Sequence, residues 1–278
     1  MIKKSILFLL LIFISSCKPE AVKEKEPLFF NKEKKFVKNS DSSSKKEVKK
    51  LQLNNGIVIT FYTKGTGEKL KKFDVVKIDY KVRLKDSTIV DGNHLLKKEW
   101  LPFIIGFNMQ TPGWDLALSE MNIGDEAEIF LPSKLARGEN GIKGLIPPNA
   151  DNYIRIKIVD KLPPTKVVEG TKIWLLEENK TENNKATLQS TIEFHYMVST
   201  PSNPRYDISY RKNKPYTFKF SDFGIVKGLK KALLGVKKSD KMWVLIPSSQ
   251  AYGSKGLMNL IQPNEPVFYD LFVMDVRK

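Results

Sequence analysis

The sequence has little of what disulfide frameworks and metal sites require. Among its 278 residues, one is a cysteine and two are histidines, namely Cys17, His94 and His195. A lone cysteine excludes an intrachain disulfide, and so few nitrogen and sulfur ligands exclude a credible zinc site. No Ser-His-Asp set or reactive cysteine is evident. We therefore expect no bound metal and no cofactor, and His195 is interpreted as a core histidine.

A long apolar run is also missing, which bears on how the chain meets a membrane. The apolar run from Ile6 to Ile14 follows Lys3-Lys4 and is too short to span ~30 Å of hydrocarbon as a helix. It ends in Ile14-Ser15-Ser16-Cys17, which resembles the bacterial lipobox, whose cysteine is acylated and becomes the mature N-terminus. We predict a signal peptide over 1–17 and lipid attachment at Cys17. A plain signal peptide with an incidental cysteine is the alternative.

The charge of the chain is strongly one-sided. The 47 Lys and Arg against 31 Asp and Glu give a formal net charge of +16. No stretch interleaves Arg with aromatic residues as a base-stacking surface would, so we expect no nucleic-acid partner. The excess is interpreted as compositional bias plus attraction to anionic envelope components. Residues 18–50, rich in Lys, Glu and Ser, cannot bury enough apolar surface to fold and are predicted to be a tether.

The remaining residues contain an internal repeat. Tyr80 and Asp91 recur 116 residues later as Tyr196 and Asp207. With a shift of 115 residues, further matches are Phe103 and Phe218, Gly113 and Gly228, Leu131-Pro132-Ser133 and Ile246-Pro247-Ser248, and Pro148-Asn149 and Pro263-Asn264. Chance would not keep so many Gly and Pro positions in one register. The chain is therefore predicted to hold two copies of one domain, over 51–164 and 165–278.

Within each copy most local patterns predict strands. Alternating or continuous apolar residues predict strands at Val75–Val82, Ala127–Leu131, Tyr153–Val159, Ile192–Val198, Met242–Ile246 and Val267–Val273. Apolar residues at helical spacing follow Gly113 and Gly228, and Gly124 is a plausible cap that ends the first helix. Several antiparallel strands with one short helix per copy predict an α+β fold.

The order of motifs resembles the FKBP family of peptidyl-prolyl isomerases. In the second copy the motifs are Tyr196, Tyr206-Asp207, Pro215-Tyr216-Thr217-Phe218, Ile225-Val226-Lys227-Gly228-Leu229, Ala251-Tyr252-Gly253 and Leu260-Ile261-Gln262-Pro263. The first copy has Gly113-Trp114 and Leu145-Ile146-Pro147-Pro148. The resemblance covers nearly all of 51–278. It implies two tandem domains, each a five- or six-stranded antiparallel sheet wrapped around a short helix.

The resemblance also implies a proline-binding pocket in the second copy. The implied catalytic residues are Asp207, Tyr206, Tyr252 and Tyr269, and the implied substrate-binding residues are Tyr196, Tyr216, Ile225, Val226, Leu229 and Ile261. Tyr252 matches a position whose hydroxyl donates to a substrate carbonyl. Leu229 stands where the family usually has Trp, which implies a looser grip on proline.

The first copy departs further from the family pattern. The weak equivalents of the pocket residues are Tyr80, Asp91, Trp114 and Ile146. Wall aromatics are replaced by Val90, Leu101 and Ile154, and Gln110, Thr111 and Arg137 replace Ile225, Val226 and Tyr252. An arginine here could pair with Asp91 and close the pocket. This copy is expected to fold but to have reduced or no isomerase activity.

Taken together, these patterns predict a peptidyl-prolyl isomerase of the bacterial envelope that acts on proline-containing client polypeptides. A lipid at Cys17 would anchor it, with the periplasmic face of the outer membrane as the expected location. The alternative is a chaperone or assembly factor that binds client chains without catalysis. A third interpretation makes the first copy a spacer or a dimerisation surface.

Overall fold

The computed structural model describes residues 49–278. The predicted signal peptide, Cys17 and nearly all of the predicted tether lie outside the described residues. Backbone contacts divide the chain into two units. The first unit contains the described residues up to Ile105 together with Gln110–Lys161, and the second contains Gly106–Met109 and Leu162–Lys278.

The first unit is an antiparallel sheet with one α-helix. Its strands are β1 (Lys49–Gln52), β2 (Val58–Thr63), β3 (Val75–Arg83), β4 (Ile89–Gly92), β5 (Leu101–Ile104), β6 (Glu126–Leu131) and β7 (Asn152–Lys161), and its helix is α1 (Pro112–Leu118). Single turns of 3₁₀ helix lie at Asn93–Leu96, Ser133–Leu135 and Gly138–Asn140. The strand order is β1-β2-β6-β7-β3-β4, and β5 also pairs with β3.

The second unit repeats this arrangement. Its strands are β8 (Lys166–Val168), β9 (Thr171–Glu177), β10 (Thr191–Ser199), β11 (Asp207–Ile208), β12 (Tyr216–Lys219), β13 (Lys241–Ile246) and β14 (Val267–Arg277), and its helix is α2 (Lys227–Leu233). Turns of 3₁₀ helix lie at Ser209–Lys212 and Ser248–Gln250. The strand order is β11-β10-β14-β13-β9-β8, with β12 also on β10. The predicted α+β fold with tandem copies is confirmed.

Each sheet has seven strands, whereas the resemblance implied five or six. One cause is that a turn of 3₁₀ helix interrupts the edge strand, so two short strands pair with β3 in the first unit and with β10 in the second. The other is an additional short strand at the start of each unit. In the first unit that strand, β1, pairs Lys49 with Phe61, so Lys49 and Lys50 belong to the sheet although they lie within the segment predicted as a tether.

The register of the sheets places the repeated residues at equivalent points. Val82 of β3 lies opposite Asp91, and Val198 of β10 lies opposite Asp207. Within β3, buried residues alternate with more exposed ones from Ile78 onward, because successive side chains point to opposite faces of a strand. Equivalent pairing brings the tyrosine and aspartate of each copy to the same edge of its sheet.

Each helix presents one apolar face to its sheet. In the second unit Leu229, Ala232 and Leu233 are buried in a core cluster with strand residues such as Phe194 and Leu271. Burial of each large apolar side chain contributes about 1.5–3 kcal/mol. This packing fixes the first turn of α2, and with it Leu229, against the part of the sheet that carries the candidate site.

The first helix is shorter than the sequence pattern predicted. It ends at Leu118 with Ser119 as its cap, so the expectation that Gly124 caps it is wrong. Beyond Leu118 the chain tightens into i to i+3 hydrogen bonds, from Glu120 N–H to Ala117 and from Met121 N–H to Leu118. Met121 is still fully buried, which explains why its spacing imitates another helical turn.

Within residues 49–278, no helix is long and apolar enough to cross a membrane. In the same residues, no group of three or more His, Cys, Asp or Glu side chains is placed to hold a metal ion.

Candidate functional site

A hydrogen-bonded pair of side chains stands at the edge of the second sheet. The Tyr196 hydroxyl on β10 donates to Oδ2 of Asp207 at 2.5 Å. Lys212 Nζ, from the 3₁₀ turn that follows β11, donates to Oδ1 of the same carboxylate at 3.1 Å. Asp207 therefore has one donor on each oxygen, which fixes the orientation of its carboxylate.

The protonation states of this pair follow from the same contacts. Partial burial raises the pKa of Asp207, but the hydrogen bonds from Tyr196 and Lys212 outweigh it and leave the pKa below the ordinary value. Burial and the neighbouring carboxylate raise the pKa of Tyr196. At neutral pH Asp207 is thus an ionised acceptor, and Tyr196 is a neutral donor.

Four further tyrosines converge around Tyr196. The Tyr196 ring centroid lies 6.4 Å from that of Tyr216 and 6.4 Å from that of Tyr269, both in edge-on geometry. Burial raises the pKa of Tyr269 well above its ordinary value, and Tyr206, Tyr252 and Tyr196 are close enough to raise it further. Tyr216 lies at the rim, with 39% of its surface exposed. The predicted aromatic residues are therefore brought together, with Tyr216 outermost.

Three phenol groups in this cluster are available to a bound molecule. Burial raises the pKa values of Tyr206 and Tyr252 as well as that of Tyr269, so all three remain protonated at neutral pH. Within the part of the chain that the structure describes, no hydrogen bond to another group contributes to the pKa of any of the three hydroxyls. Each can therefore donate to a ligand without first breaking an internal bond.

The cluster stands over an apolar floor. Leu229, Val226 and Ile261 are buried in the same core cluster as Tyr269, and Ile225 packs against that cluster. Leu229 is only 3% exposed. All four residues predicted from the sequence to contact substrate through apolar surface thus lie beside the tyrosines.

An open groove extends from this floor along the surface of the second unit. It is lined by Gly224–Lys227, Ser249 and Ala251–Lys255. Ile225, Val226 and Tyr252 belong both to the groove and to the packing around the tyrosine cluster. Among the described residues, no acidic one lines the groove, and Lys227 and Lys255 are exposed along it. An extended polypeptide could lie here with one side chain on the apolar floor.

The equivalent site of the first unit is packed differently. The Tyr80 hydroxyl donates to Oδ2 of Asp91 at 3.2 Å, and the Tyr80 and Trp114 ring centroids are 5.2 Å apart. Trp114 also stacks on Phe103 at 5.7 Å, and Ile146 is buried. Burial raises the pKa of Asp91 above its ordinary value, which is the opposite direction from Asp207.

The arginine of the first site lines its cavity together with Gln110, and its hydrogen bond is not the predicted contact. Arg137 donates to Oε1 of Gln110 at 2.8 Å instead of pairing directly with Asp91. Gln110 lies two residues before α1, and its side chain reaches the guanidinium. The Asp91 carboxylate accepts from Tyr80 and from the Gly92 N–H. The space that remains is a cavity of about 20 Å³.

Two contributors to the site of the second unit were missed in the sequence. Lys212 lies five residues after Asp207, and only the 3₁₀ turn directs it back to the carboxylate. Ser209 accepts from the Tyr196 backbone N–H at 2.8 Å and lies 3.0 Å from His195 Nδ1. His195 is part-buried and stacks on Tyr210 at 4.1 Å, so it supports the β11 turn from outside the tyrosine cluster.

Comparison with known families gives one match in each repeat. A model of the FKBP-type peptidyl-prolyl cis-trans isomerase family matches residues 66–159 and 182–274. These two matches together cover more than half of the chain. They include every site residue discussed above.

Individual relatives have the same family name. The chain is 24% identical over 203 residues to the peptidyl-prolyl cis-trans isomerase FKBP10 of Mus musculus, covering 73% of this chain and 34% of that one. It is 35% identical over 128 residues to the FKBP-type peptidyl-prolyl cis-trans isomerase FkpA of Aeromonas hydrophila, covering 46% and 41%. The chain thus spans about a third to two fifths of the length of these relatives.

A solved structure of three FKBP domains of wheat FKBP73 is also similar. It matches with a TM-score of 0.40 and 23% identity, covering 81% of this chain and 96% of that one.

Proposed function

The chain belongs to the FKBP-type peptidyl-prolyl cis-trans isomerase family, and from this premise we propose that its second unit catalyses rotation about X–Pro bonds. The substrate class is proline-containing polypeptide. The observation that carries the proposal is the set of unpartnered phenol groups, above all Tyr252, beside the apolar floor formed by Leu229 and Val226.

The reaction requires neither a nucleophile nor a metal. An X–Pro bond rotates over a barrier of ~18–20 kcal/mol because rotation breaks amide conjugation. A catalyst need only hold the prolyl ring in apolar surroundings and bond the twisted amide better than the planar one. The floor around Leu229 can hold the ring, while the Tyr252 hydroxyl can donate to the carbonyl that precedes or follows it.

In this proposal Asp207 acts as a carboxylate that is held in one fixed orientation. It is held by Tyr196 and Lys212, and its negative charge lies beside the tyrosine rings. Charges and dipoles stabilise a transition state best when they are already in place before the reaction, because none then has to be reoriented. We assign catalysis to the second unit because in the first Arg137 and Gln110 bond each other and the cavity that they line is only about 20 Å³.

Isomerisation of a proline-containing peptide by the full chain tests this proposal. We expect Tyr252→Phe to lower kcat/KM by roughly two- to tenfold, the effect of about 0.5–1.5 kcal/mol for one hydrogen bond. Tyr153→Phe, the same change on β7 of the first unit, is the matched control and should not alter the rate. A wild-type rate equal to the uncatalysed rate, in a chain with a native unfolding transition, would contradict the proposal.

A second candidate is a peptide-binding chaperone that does not catalyse rotation. Leu229 favours it, because a floor smaller than Trp114 of the first unit would hold proline less firmly. Suppression of aggregation of an unfolded client protein distinguishes the two. If Tyr252→Phe keeps this suppression while the wild type shows no isomerase activity, the chaperone is the correct function.

We also propose that the protein acts in the bacterial cell envelope, anchored by lipid at Cys17. The support is the basic, apolar and Ser-Ser-Cys order at the start of the sequence. Several acyl chains give a stable anchor because each buried methylene contributes about 0.8 kcal/mol. Incorporation of a palmitate analogue into the wild type, and its loss in Cys17→Ser, is the expected result. An unlabelled wild-type chain would contradict the anchor.

A further inference from the structure

The cavity of the first unit differs in its lining from the pocket of the second unit. Four polar residues around it occupy positions that are apolar or aromatic in the second unit. The pairs are Gln110 and Ile225, Thr111 and Val226, Arg137 and Tyr252, and Asn152 and Val267. The register supports the last pair, because Leu131 lies opposite Asn152 just as Ile246 lies opposite Val267. The four polar replacements therefore all lie around one cavity.

Two of these side chains are buried without a partner. Thr111 is 5% exposed and Asn152 is 4% exposed. Within the described residues, Thr111 Oγ1 and Asn152 Oδ1 have no hydrogen-bond partner. A buried polar atom without a partner destabilises the folded state, whereas the valines at the same positions of the second unit incur no such cost. A bound group that supplies a donor to Asn152 and bonds Thr111 would remove the cost.

The charges around the cavity favour a neutral group. Arg137 and Asp91 both line it and carry opposite charges. An incoming carboxylate would be repelled by Asp91, and an incoming ammonium would be repelled by Arg137. A carboxamide avoids both repulsions, since its oxygen accepts from the guanidinium and its NH₂ group donates to Asn152 or Asp91.

The protein already places one carboxamide in this environment. The Gln110 side chain accepts from Arg137 Nη2 at 2.8 Å. Trp114, Val82 and Ile146 line the same cavity and offer apolar surface suited to an aliphatic stem. The cavity of about 20 Å³ is large enough for one water molecule but not for a side chain. A second carboxamide can therefore enter only where Gln110 moves out of the way.

We propose that the first unit binds an asparagine or glutamine side chain of a polypeptide, which replaces Gln110 against Arg137 and bonds Thr111 and Asn152. This site is separate from the isomerase pocket of the second unit, and it does not depend on catalysis there. It gives the first unit a ligand class of its own, namely carboxamide-bearing peptide segments.

A titration of the full chain with three peptides tests this proposal. The peptides are acetylated tripeptide methylamides that differ only in the central residue, which is Gln, Glu or Pro, so that no terminal group is a primary amide. The readout is the Trp114 indole N–H in NMR spectra, assigned with Trp114→Phe. We expect a saturable shift with the Gln peptide and at least tenfold weaker binding of the other two.

Two sets of variants separate binding from a structural role. Gln110→Ala removes the internal competitor and should strengthen binding of the Gln peptide severalfold. Thr111→Val with Asn152→Val copies the second unit and should abolish the preference for Gln, while Thr63→Val at an exposed position of β2 should not. The proposal is overturned if the Gln peptide causes no saturable shift in the wild type or in Gln110→Ala. It is equally overturned if the Pro peptide binds as well as the Gln peptide, or if the cavity holds only an ordered water molecule.

Discussion

At the scale of single residues, two aspartates at equivalent positions have opposite electrostatic environments. Asp207 receives hydrogen bonds from Tyr196 and Lys212, which lower its pKa despite burial. Asp91 is more deeply buried, and the weaker 3.2 Å bond from Tyr80 does not compensate, so its pKa is raised. One position in a repeated fold thus holds a stabilised carboxylate in one copy and a destabilised one in the other.

This contrast predicts opposite pH dependences for two matched variants. The carboxylate of Asp207 stabilises the folded state above pH 3.8, the ordinary value, and this contribution is lost as pH falls through its lower folded-state pKa. The contribution of Asp91 is present below pH 3.8 and is lost as pH rises through its raised pKa. The free energy of unfolding of the wild type minus that of Asp207→Asn should therefore rise with pH. The free energy of unfolding of the wild type minus that of Asp91→Asn should fall with pH.

Urea unfolding of the three proteins at a series of pH values measures both differences in free energy. Each variant replaces one aspartate with asparagine, so the effect of net charge on stability is the same in both and cancels when they are compared. Slopes of the same sign would show that the assigned hydrogen bonds do not control these carboxyl groups.

At the scale of elements, each helix approaches its sheet through a glycine. A Cβ at Gly228 of α2 would lie 2.7 Å from Thr171 Oγ1 and closer still to Ile246. A Cβ at Gly113 of α1 would lie 2.7 Å from the carbonyl oxygen of Leu135. Both distances are too short for real atoms, so the two helices can pack this closely only without a side chain at these positions.

Alanine at either glycine should therefore destabilise the protein. We expect Gly228→Ala and Gly113→Ala each to lower the free energy of unfolding by about 1–3 kcal/mol, as overpacking of a core does. Only Gly228→Ala should also lower isomerase kcat/KM, because it displaces the adjacent pocket residue Leu229. Denaturant unfolding and peptide isomerisation measure the two effects. Equal loss of activity in both variants would contradict the assignment of catalysis to the second unit.

At the scale of the whole molecule, charge is expected to select substrates. The chain carries a net charge of +16. Lys227 and Lys255 are exposed along the groove of the second unit, and none of the lining residues that the structure describes is acidic. Such a field raises the local concentration of oppositely charged ligands and is screened by salt.

Peptides with glutamate beside proline should therefore be isomerised with higher kcat/KM than otherwise identical peptides with lysine there. The preference should shrink at high ionic strength, and Lys227→Glu with Lys255→Glu should reverse it. Lys166→Glu with Lys172→Glu, on exposed positions of β8 and β9, is the matched control for net charge. A preference that survives high salt unchanged would show that contacts other than charge produce it.

Much of the fold followed from the sequence alone. Apolar alternation in segments such as Val75–Val82 predicted the strands, because side chains on a strand alternate between two faces. The repeat of Tyr80 and Asp91 as Tyr196 and Asp207 predicted two copies, because matching Gly, Pro and aromatic positions require matching backbones. The family resemblance then identified which tyrosines would meet, since they are far apart in sequence and meet only in the folded sheet.

What only the tertiary structure decided is which side chains bond to each other. Lys212 reaches Asp207 because a 3₁₀ turn directs it there, and Arg137 bonds Gln110 although Asp91 is close enough to affect its pKa. Thr111 and Asn152 line one cavity and each has a buried oxygen without a partner, although the two residues lie in distant parts of the described chain. Which side chains bond to each other depends on differences of a few tenths of an ångström in the distances between parts of the chain that are far apart in sequence. Periodicity and motif order do not contain that information.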